Sequence, residues 1–198
     1  MRLIFCLLVL LASAAAAQNL NESARTLQPW VGDLDGMLDR RAVRVLVPYS
    51  RTGFFIDGGR QRGLFYEVMT GFEDQLNEQH ADGLIRINVV FVPTTRERLI
   101  PALQEGLGDI IAADLTVTPE RSEQVQFTTP LGRNVRELLV RHADAREPES
   151  LEDLAGEAVF IAAYSSYAEH LSAVNQRLQA NGLDAIDVRE SPDHFQTE

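Results

Sequence analysis

Residues 109–129 read DIIAADLTVTPERSEQVQFTT, and the order of residue types in this stretch decides how the rest of the chain is interpreted. The stretch opens with Asp109 and a continuous apolar run, which is typical of a strand covered on both faces of a parallel sheet. Thr118, Pro119 and Glu120 then suit the N-cap, the first position and the first turn of a helix. The stretch therefore predicts a buried strand, an exit loop and the start of a short helix.

Arg121 falls on the opening turn of this predicted helix. Ligands of open α/β sheets bind beyond the carboxyl ends of the strands, and residues 114–116 lie at such an end. A guanidinium beside a threonine hydroxyl and a positive helix end forms a site for a carboxylate. We therefore take Arg121 as the first candidate ligand-binding residue. The alternative is a structural ion pair with Asp114 or Glu120.

Around this stretch, strand-like and helix-like patterns alternate. Short β-branched runs predict strands, and apolar residues at spacings of four predict a helix. The predicted elements are strands at 43–49, 85–93 and 109–113, a helix at 63–79, a turn at Gly58–Gly59, and a helix capped by Thr94 or Thr95 that Pro101 shortens or bends. Strand and helix in alternation predict an α/β lobe with a mainly parallel sheet over residues 42–134.

The chain downstream repeats this architecture on a smaller scale. Residues 135–149 are predicted to form a crossover or hinge that begins with the extended segment VRELLVRH. The elements predicted after it are helices at 150–156 and from about Ser166 to Ala180, and strands at 158–163 and 185–190. Two strands and two helices leave apolar faces uncovered, so residues 150–198 are interpreted as a partial second α/β lobe.

The N-terminal residues 1–17 have the layout of a secretory signal peptide, with Arg2, an apolar run and a small-residue stretch before Gln18. We therefore expect an exported, periplasmic protein without a stable membrane span after cleavage. Cys6, the only cysteine, lies in this segment, so the mature chain would be held together by packing alone. Residues 18–41 are polar and turn-rich and are interpreted as a lead-in segment.

Composition and motifs favour a binding protein over an enzyme. The net charge of −11 argues against nucleic acid and anionic membranes as partners. The sequence has no nucleophile elbow, Walker loop or His-Glu-x-x-His motif, and its four histidines lack metal-ligand spacing. We expect no catalytic residue, metal or cofactor, although the 29 acidic residues leave a glycosidase-like carboxylate pair open.

The segment LIPALQEGLGDIIAADLTVTPERSEQVQFTTP, residues 99–130, resembles the family 3 extracellular solute-binding proteins, the periplasmic receptors of polar amino-acid transporters. The resemblance rests on a Leu-x-x-Ala-Leu helix, a Gly-Asp strand start, a Thr-x-Thr-Pro-Glu-Arg motif and a following strand. It extends more loosely from Val43 to the C-terminus. It implies a type 2 periplasmic-binding-protein-like fold whose two lobes close over a small polar ligand, here with an incomplete second lobe.

The resemblance also implies roles for individual residues. Arg121 would clamp the ligand α-carboxylate, and Thr116 would add its hydroxyl and amide. Ser165 and Ser166 would close on the ligand from the second lobe, unless they only cap the helix that follows. An aromatic residue after the first strand would cover the ligand, and the candidates are Tyr49, Phe54 and Phe55.

Two residues depart from the family pattern. Asp114 stands where a small residue is usual, and its carboxylate would either bind the ligand ammonium or neutralise Arg121. Pro48 stands where an acidic residue is frequent after the first strand. Asp114 therefore joins the candidate site residues.

Three functional interpretations follow from the resemblance. In the first, the chain is a transport receptor for an amino-acid-like solute, with an inner-membrane ABC transporter as its partner. INVVFVP and SSYAEHLSAVNQRL also resemble the solute-binding domain of F-type membrane-bound lytic transglycosylases, which implies a regulatory module that senses cell-wall fragments. The third interpretation is a truncated remnant that neither closes nor binds.

Overall fold

A computed structural model describes residues 28–81, 85–162 and 164–191 of the chain. The chain divides into two compact units after Ala113. The predicted signal peptide at residues 1–17 lies outside the described residues, and the predicted lobe boundaries at residues 134 and 149 stay predictions. In the described residues, no helix combines the length and the apolar character needed to cross a membrane.

The first unit has a three-stranded parallel sheet at its centre. Strand β1 pairs along its whole length with β4, from Ala42 opposite Asn88 to Pro48 opposite Thr94, and pairs on its other side with β5. The elements are α1 (Leu34–Asp39), β1 (Ala42–Pro48), β2 (Phe55–Asp57), β3 (Arg60–Arg62), α2 (Leu64–His80), β4 (Asn88–Thr94), a 3-10 turn (Arg96–Arg98), α3 (Leu99–Gln104) and β5 (Ile110–Ile111).

The core of the first unit forms around β1, because every residue of this strand is buried. Apolar side chains on one face of β1 pack with residues of α2 and of the segment before β4. Burying each of these side chains contributes roughly 1.5–3 kcal/mol, and this packing fixes the sheet relative to α2. The buried cluster consists of Val43, Val45, Val47, Phe54, Met69, Leu76 and Ile87.

Strands β2 and β3 form an antiparallel hairpin that the sequence did not predict as strands. The predicted turn at Gly58–Gly59 is confirmed, since these two residues connect Asp57 to Arg60 with φ values of 54° and 79°. A two-residue hairpin loop with positive φ at both positions favours glycine at each of them.

The second unit is a smaller βαβ arrangement. Helix α5 connects β6 to β7, and the two strands are parallel, with Ala158 opposite Asp187 and Ile161 opposite Glu190. Leu154, Leu178 and Ile186 form its buried apolar cluster. The elements of this unit are α4 (Pro119–Ser122), a 3-10 turn (Glu152–Leu154), β6 (Ala158–Ile161), α5 (Ser166–Ala180) and β7 (Asp187–Glu190).

Most predicted elements are confirmed, and every predicted strand except the first is shorter in the structure. The helix predicted from about Ser166 to Ala180 has these bounds, and the one predicted at 63–79 runs from Leu64 to His80. The predicted helix at 150–156 is wrong in type, because only a 3-10 turn forms there. The predicted α/β fold with parallel sheets is confirmed.

Candidate functional site

Arg121 lies on α4, whose start forms as the sequence predicts. Thr118 is the N-cap, and its side-chain oxygen accepts a hydrogen bond from the backbone N–H of Arg121 at 3.2 Å. Pro119 occupies the first helical position. Thr118 is almost fully buried, and Arg121 is only 7% exposed. The local sequence therefore holds a guanidinium in a largely desolvated place.

Three acceptors of the second unit hold the guanidinium of Arg121. Its Nε donates to Oε1 of Glu169 at 2.9 Å, and its Nη2 donates to the backbone carbonyl of Tyr164 at 3.0 Å. A longer bond of 3.4 Å joins Nη1 to the backbone carbonyl of Thr116. Arginine has five N–H donors, so within the described residues these bonds use three of them.

A second set of polar contacts lies beside this ion pair. Ser166 is buried, and its hydroxyl donates to Oγ1 of Thr116 at 3.2 Å. Oε1 of Glu137 lies 3.4 Å from the same hydroxyl and 2.7 Å from Nδ1 of His170. Thr116 thus contacts both sets, through its carbonyl and through its hydroxyl. We call the combined group the arginine cluster: Thr116, Arg121, Glu137, Ser166, Glu169 and His170.

The structure thus brings together three predicted site residues, Arg121, Thr116 and Ser166. Ser165 occupies the N-cap position of α5, but its hydroxyl donates to the carbonyl of Ala162 at 2.5 Å and does not cap the helix. Asp114 is exposed and follows β5 closely in the chain.

The predicted aromatic candidates belong to the first unit. Phe54 is fully buried and stacks on Phe91 at 5.2 Å between ring centroids, so it forms part of the core. Tyr49 is 54% exposed, and its ring lies 5.8 Å from that of Phe54. Phe55 is half-buried, so Tyr49 is the most exposed of the three candidates, while contact with a ligand stays a prediction for all of them.

The sequence analysis missed Glu169 and named Asp114 and Glu120 as possible ion-pair partners of Arg121. Glu169 is 48 positions away in the chain, and only the folded second unit brings it to Arg121. One signal was available, since Ser166, Glu169 and His170 are spaced i, i+3 and i+4 on a predicted helix. Residues at this spacing share one helix face, which adjoins the loop around Thr116.

The arginine cluster is suited to recognition of a charged or polar group. It combines one guanidinium, two carboxylates, two hydroxyls and an imidazole, with backbone carbonyls that fix the guanidinium from two sides. A buried guanidinium binds carboxylates strongly, because hydrogen bonds between charged groups gain strength away from water. In the described residues, no three His, Cys, Asp or Glu side chains are placed to hold a metal ion.

Comparison with known proteins gives a match over most of the chain. Residues 45–188 match the family model described as bacterial extracellular solute-binding proteins, family 3. The matched range contains every residue of the arginine cluster, together with strands from both units.

Curated relatives are much longer proteins. Membrane-bound lytic murein transglycosylase F 1 of Alkalilimnicola ehrlichii is 27% identical over 156 residues, which are 79% of this chain and 30% of the relative. Membrane-bound lytic murein transglycosylase F of Alcanivorax borkumensis is 31% identical over 149 residues, or 73% of this chain and 29% of the relative. The chain thus spans about 30% of the length of these relatives.

Solved structures share the fold. The arginine-bound form of truncated ArgBP from T. maritima has a TM-score of 0.56 and 21% identity, over 80% of this chain and 67% of that chain. The ancestral amino acid-binding protein AncCDT-1, a precursor of cyclohexadienyl dehydratase, has a TM-score of 0.55 and 24% identity, over 82% of this chain and 66% of that chain. At these identities the likeness establishes the fold alone.

Proposed function

Because this chain belongs to the bacterial extracellular solute-binding proteins of family 3, we propose that it binds a small polar solute through a carboxylate held by Arg121. The observation that carries the proposal is the buried guanidinium on the first turn of α4, fixed by the carbonyls of Thr116 and Tyr164. The guanidinium offers parallel N–H donors, and a carboxylate has two oxygens that accept from them.

The second unit supplies further contacts in this proposal. Thr116 and Ser166 already lie within hydrogen-bond distance of each other beside Arg121, and their hydroxyls can turn toward a bound solute. Ser165, Asp114 and Tyr49 remain candidates for additional contacts. Recognition would proceed by closure of two lobes over the ligand, as the family implies.

The cellular setting is part of the proposal. An exported chain with a net charge of −11 and no cysteine outside residues 1–17 fits the periplasm. An amino-acid-like ligand is supported by solved neighbours described as bound to arginine and to glutamine. An inner-membrane ABC transporter is the partner expected of such a receptor. In this role the chain itself is a binding protein and carries out no catalysis.

A second candidate function is a regulatory domain of a peptidoglycan lytic transglycosylase. It is favoured by the curated relatives, which are lytic murein transglycosylases of which this chain spans about 30%. The ligand would then be a cell-wall fragment, which carries peptide carboxylates that Arg121 can bind in the same way. The two candidates therefore share one site chemistry and differ in the ligand and in the partner.

Ligand binding to matched variants tests the proposal. Isothermal titration with L-arginine, L-glutamine and the disaccharide tetrapeptide of peptidoglycan compares the protein with the double variant Arg121→Met, Glu169→Gln. The double change removes both charges, so that no unpaired carboxylate weakens the fold. We expect the variant to lose at least about thirtyfold in affinity for the bound probe, because a desolvated charge pair contributes more than about 2 kcal/mol.

Arg177→Ala is the control, because Arg177 is exposed on α5 and should leave binding unchanged. Preference for an amino acid supports the transport receptor, and preference for the tetrapeptide supports the regulatory domain. Full affinity in the double variant, or no binding of any probe by the unmodified protein, would contradict a carboxylate site at Arg121.

A further inference from the structure

The contact between Arg121 and Glu169 is one-sided. Nε of Arg121 donates to Oε1 of Glu169 at 2.9 Å. Within the described residues, Oε2 of Glu169 is buried and has no hydrogen-bond partner. A carboxylate that binds a guanidinium through one oxygen forgoes the two parallel bonds of the strongest arrangement, and its second oxygen remains desolvated without compensation. The ion pair is therefore weaker than its burial suggests.

The guanidinium does not depend on Glu169 for its position. The carbonyls of Tyr164 and Thr116 accept hydrogen bonds from Nη2 and Nη1, and the Thr118 cap fixes the backbone at Arg121. These acceptors stay in place when the Glu169 side chain turns away. The Glu169 side chain is itself 22% exposed on the first turn of α5, so a rotation brings its carboxylate to water.

From these contacts we propose that Glu169 is a resident competitor at the ligand site, and that a solute carboxylate binds by replacing it on Arg121. This inference rests on the proposed function. Glu169 binds Arg121 through one oxygen, whereas a solute carboxylate can bind it through two. The additional hydrogen bond of this bidentate contact favours the replacement. Glu169 thereby lowers the affinity for every carboxylate ligand and disfavours ligands that approach Arg121 with a single oxygen.

The charges near Arg121 also favour displacement of Glu169 by a ligand carboxylate. The carboxylate of Glu169 already occupies the guanidinium of Arg121, and Glu137, which contacts Ser166 and His170, adds a second carboxylate to the arginine cluster. A carboxylate ligand therefore meets repulsion as well as attraction unless Glu169 withdraws. Glutamine at position 169 would keep the size of the side chain and remove its charge, which leaves only a neutral amide oxygen to accept from Arg121.

The test measures affinity for a carboxylate in variants of one position. Acetate and L-arginine serve as probes, with binding followed by the Arg121 Nε–H resonance in nitrogen-15 spectra and by isothermal titration. We expect Glu169→Gln to bind both probes about tenfold more tightly than the unmodified protein, which corresponds to loss of a partly exposed ion pair. The Nε–H resonance should shift in the free variant and move toward a carboxylate-bound position on titration.

Two further variants make the test specific. Glu169→Asp keeps the charge but shortens the side chain by one methylene, so it loses the Nε contact and should also bind more tightly. Glu120→Gln removes an exposed charge next to Arg121 in the chain and should bind as the unmodified protein does. Urea unfolding confirms that each variant is folded under the binding conditions.

Each outcome decides the inference. Tighter binding in both Glu169 variants supports competition at the contact. Tighter binding in Glu169→Gln alone would indicate a general charge effect and would overturn the inference. Unchanged or weaker binding in Glu169→Gln would also overturn the inference but would leave the proposed function standing. Absence of binding in the unmodified protein and in every variant would defeat the proposed function together with the inference.

Discussion

A buried ionic centre in β1 ties three parts of the first unit together. Arg44 is fully buried, and its Nη2 donates to Oδ1 of Asp109 at 2.8 Å, while its backbone N–H donates to Oδ2 at 2.6 Å. Nη1 and Nη2 also donate to the carbonyls of Gln28 and Trp30 at 2.7 and 3.0 Å. Arg40 contacts Asp109 as well. These bonds join the chain before α1, strand β1 and the start of β5.

Asp109 makes the stability of the first unit depend on pH. Burial raises the pKa of Asp109, but hydrogen bonds from Arg44 and Arg40 outweigh it, and the pKa in the folded protein lies below 3.8. A lowered pKa contributes stability above the unfolded value, and this contribution is lost as pH falls through the folded value. We expect the unfolding free energy of the protein to fall below about pH 4 for this reason.

Asp109→Asn checks this effect. At pH 7 the variant should lose about 3–5 kcal/mol, because Arg44 remains buried without its carboxylate. Its unfolding free energy should also change less than that of the unmodified protein between pH 5 and pH 2. Urea titrations across this range measure both quantities. Asp57→Asn, in an exposed pair with Arg62, should change little, and equal pH slopes for all three proteins would contradict the prediction.

The sequence predicts the structural roles of some residues and not those of others. The role of Thr118 as the cap of α4 follows from local rules and is confirmed. The Arg44–Asp109 and Arg121–Glu169 pairs are not predictable in this way, because they join residues 65 and 48 positions apart. The spacing of Glu169 from Ser166 and His170 places it on one helix face, but it does not identify Arg121 as its partner.

In both units an asparagine side chain on the long helix forms hydrogen bonds to the backbone just before the following strand. Asn77 on α2 donates through its side-chain amide to the carbonyl of Ile87 and accepts from the N–H of Ile87, both at 2.8 Å. Asn175 on α5 makes the same pair of bonds with Ile186, at 3.1 and 2.7 Å. Each isoleucine directly precedes the second strand of a parallel βαβ unit. The amide thus sets where that strand begins.

Replacing these asparagines measures how much their amide hydrogen bonds contribute to the free energy of unfolding. Asn77→Ala or Asn175→Ala should each lower the free energy of unfolding by about 1–3 kcal/mol, because a backbone N–H and C=O lose their partners together. Urea unfolding followed by circular dichroism measures the change. Gln75→Ala and Gln176→Ala change exposed neighbours on the same helices and serve as controls. Equal stability of each asparagine variant and its control would show that the amide bonds contribute nothing.

At the level of elements, periodicity predicts helices better than strand ends. Helices α2 and α5 are long and have apolar residues on one face, and their bounds agree with prediction to within one residue. Strand β5 has only two ladder residues, because its pairing with β1 is limited to Val45 and Leu46. Apolar character alone does not reveal how many residues find a partner strand.

Across the whole molecule, apolar surface is unevenly covered. Strand β1 is fully buried, whereas every residue of β7 and two of the four residues of β6 are exposed. The segment between α4 and the 3-10 turn at Glu152–Leu154 has neither helix nor strand, and it includes the predicted extended run VRELLVRH. A two-stranded sheet with one long helix supplies little burial, so we expect the second unit to be the less stable of the two.

The exposed apolar residues of the segment VRELLVRH, residues 135–142, should affect self-association of the protein more than its folding. Val135, Leu138 and Val140 are 77%, 87% and 90% exposed, so the triple change to serine removes little buried area. We expect an unfolding free energy within about 0.5 kcal/mol of the original, with weaker dye binding and less self-association by light scattering. Leu178→Ala, at a fully buried position of α5, should instead cost about 2–5 kcal/mol. A large loss of stability in the triple variant would mean that this run is packed in solution.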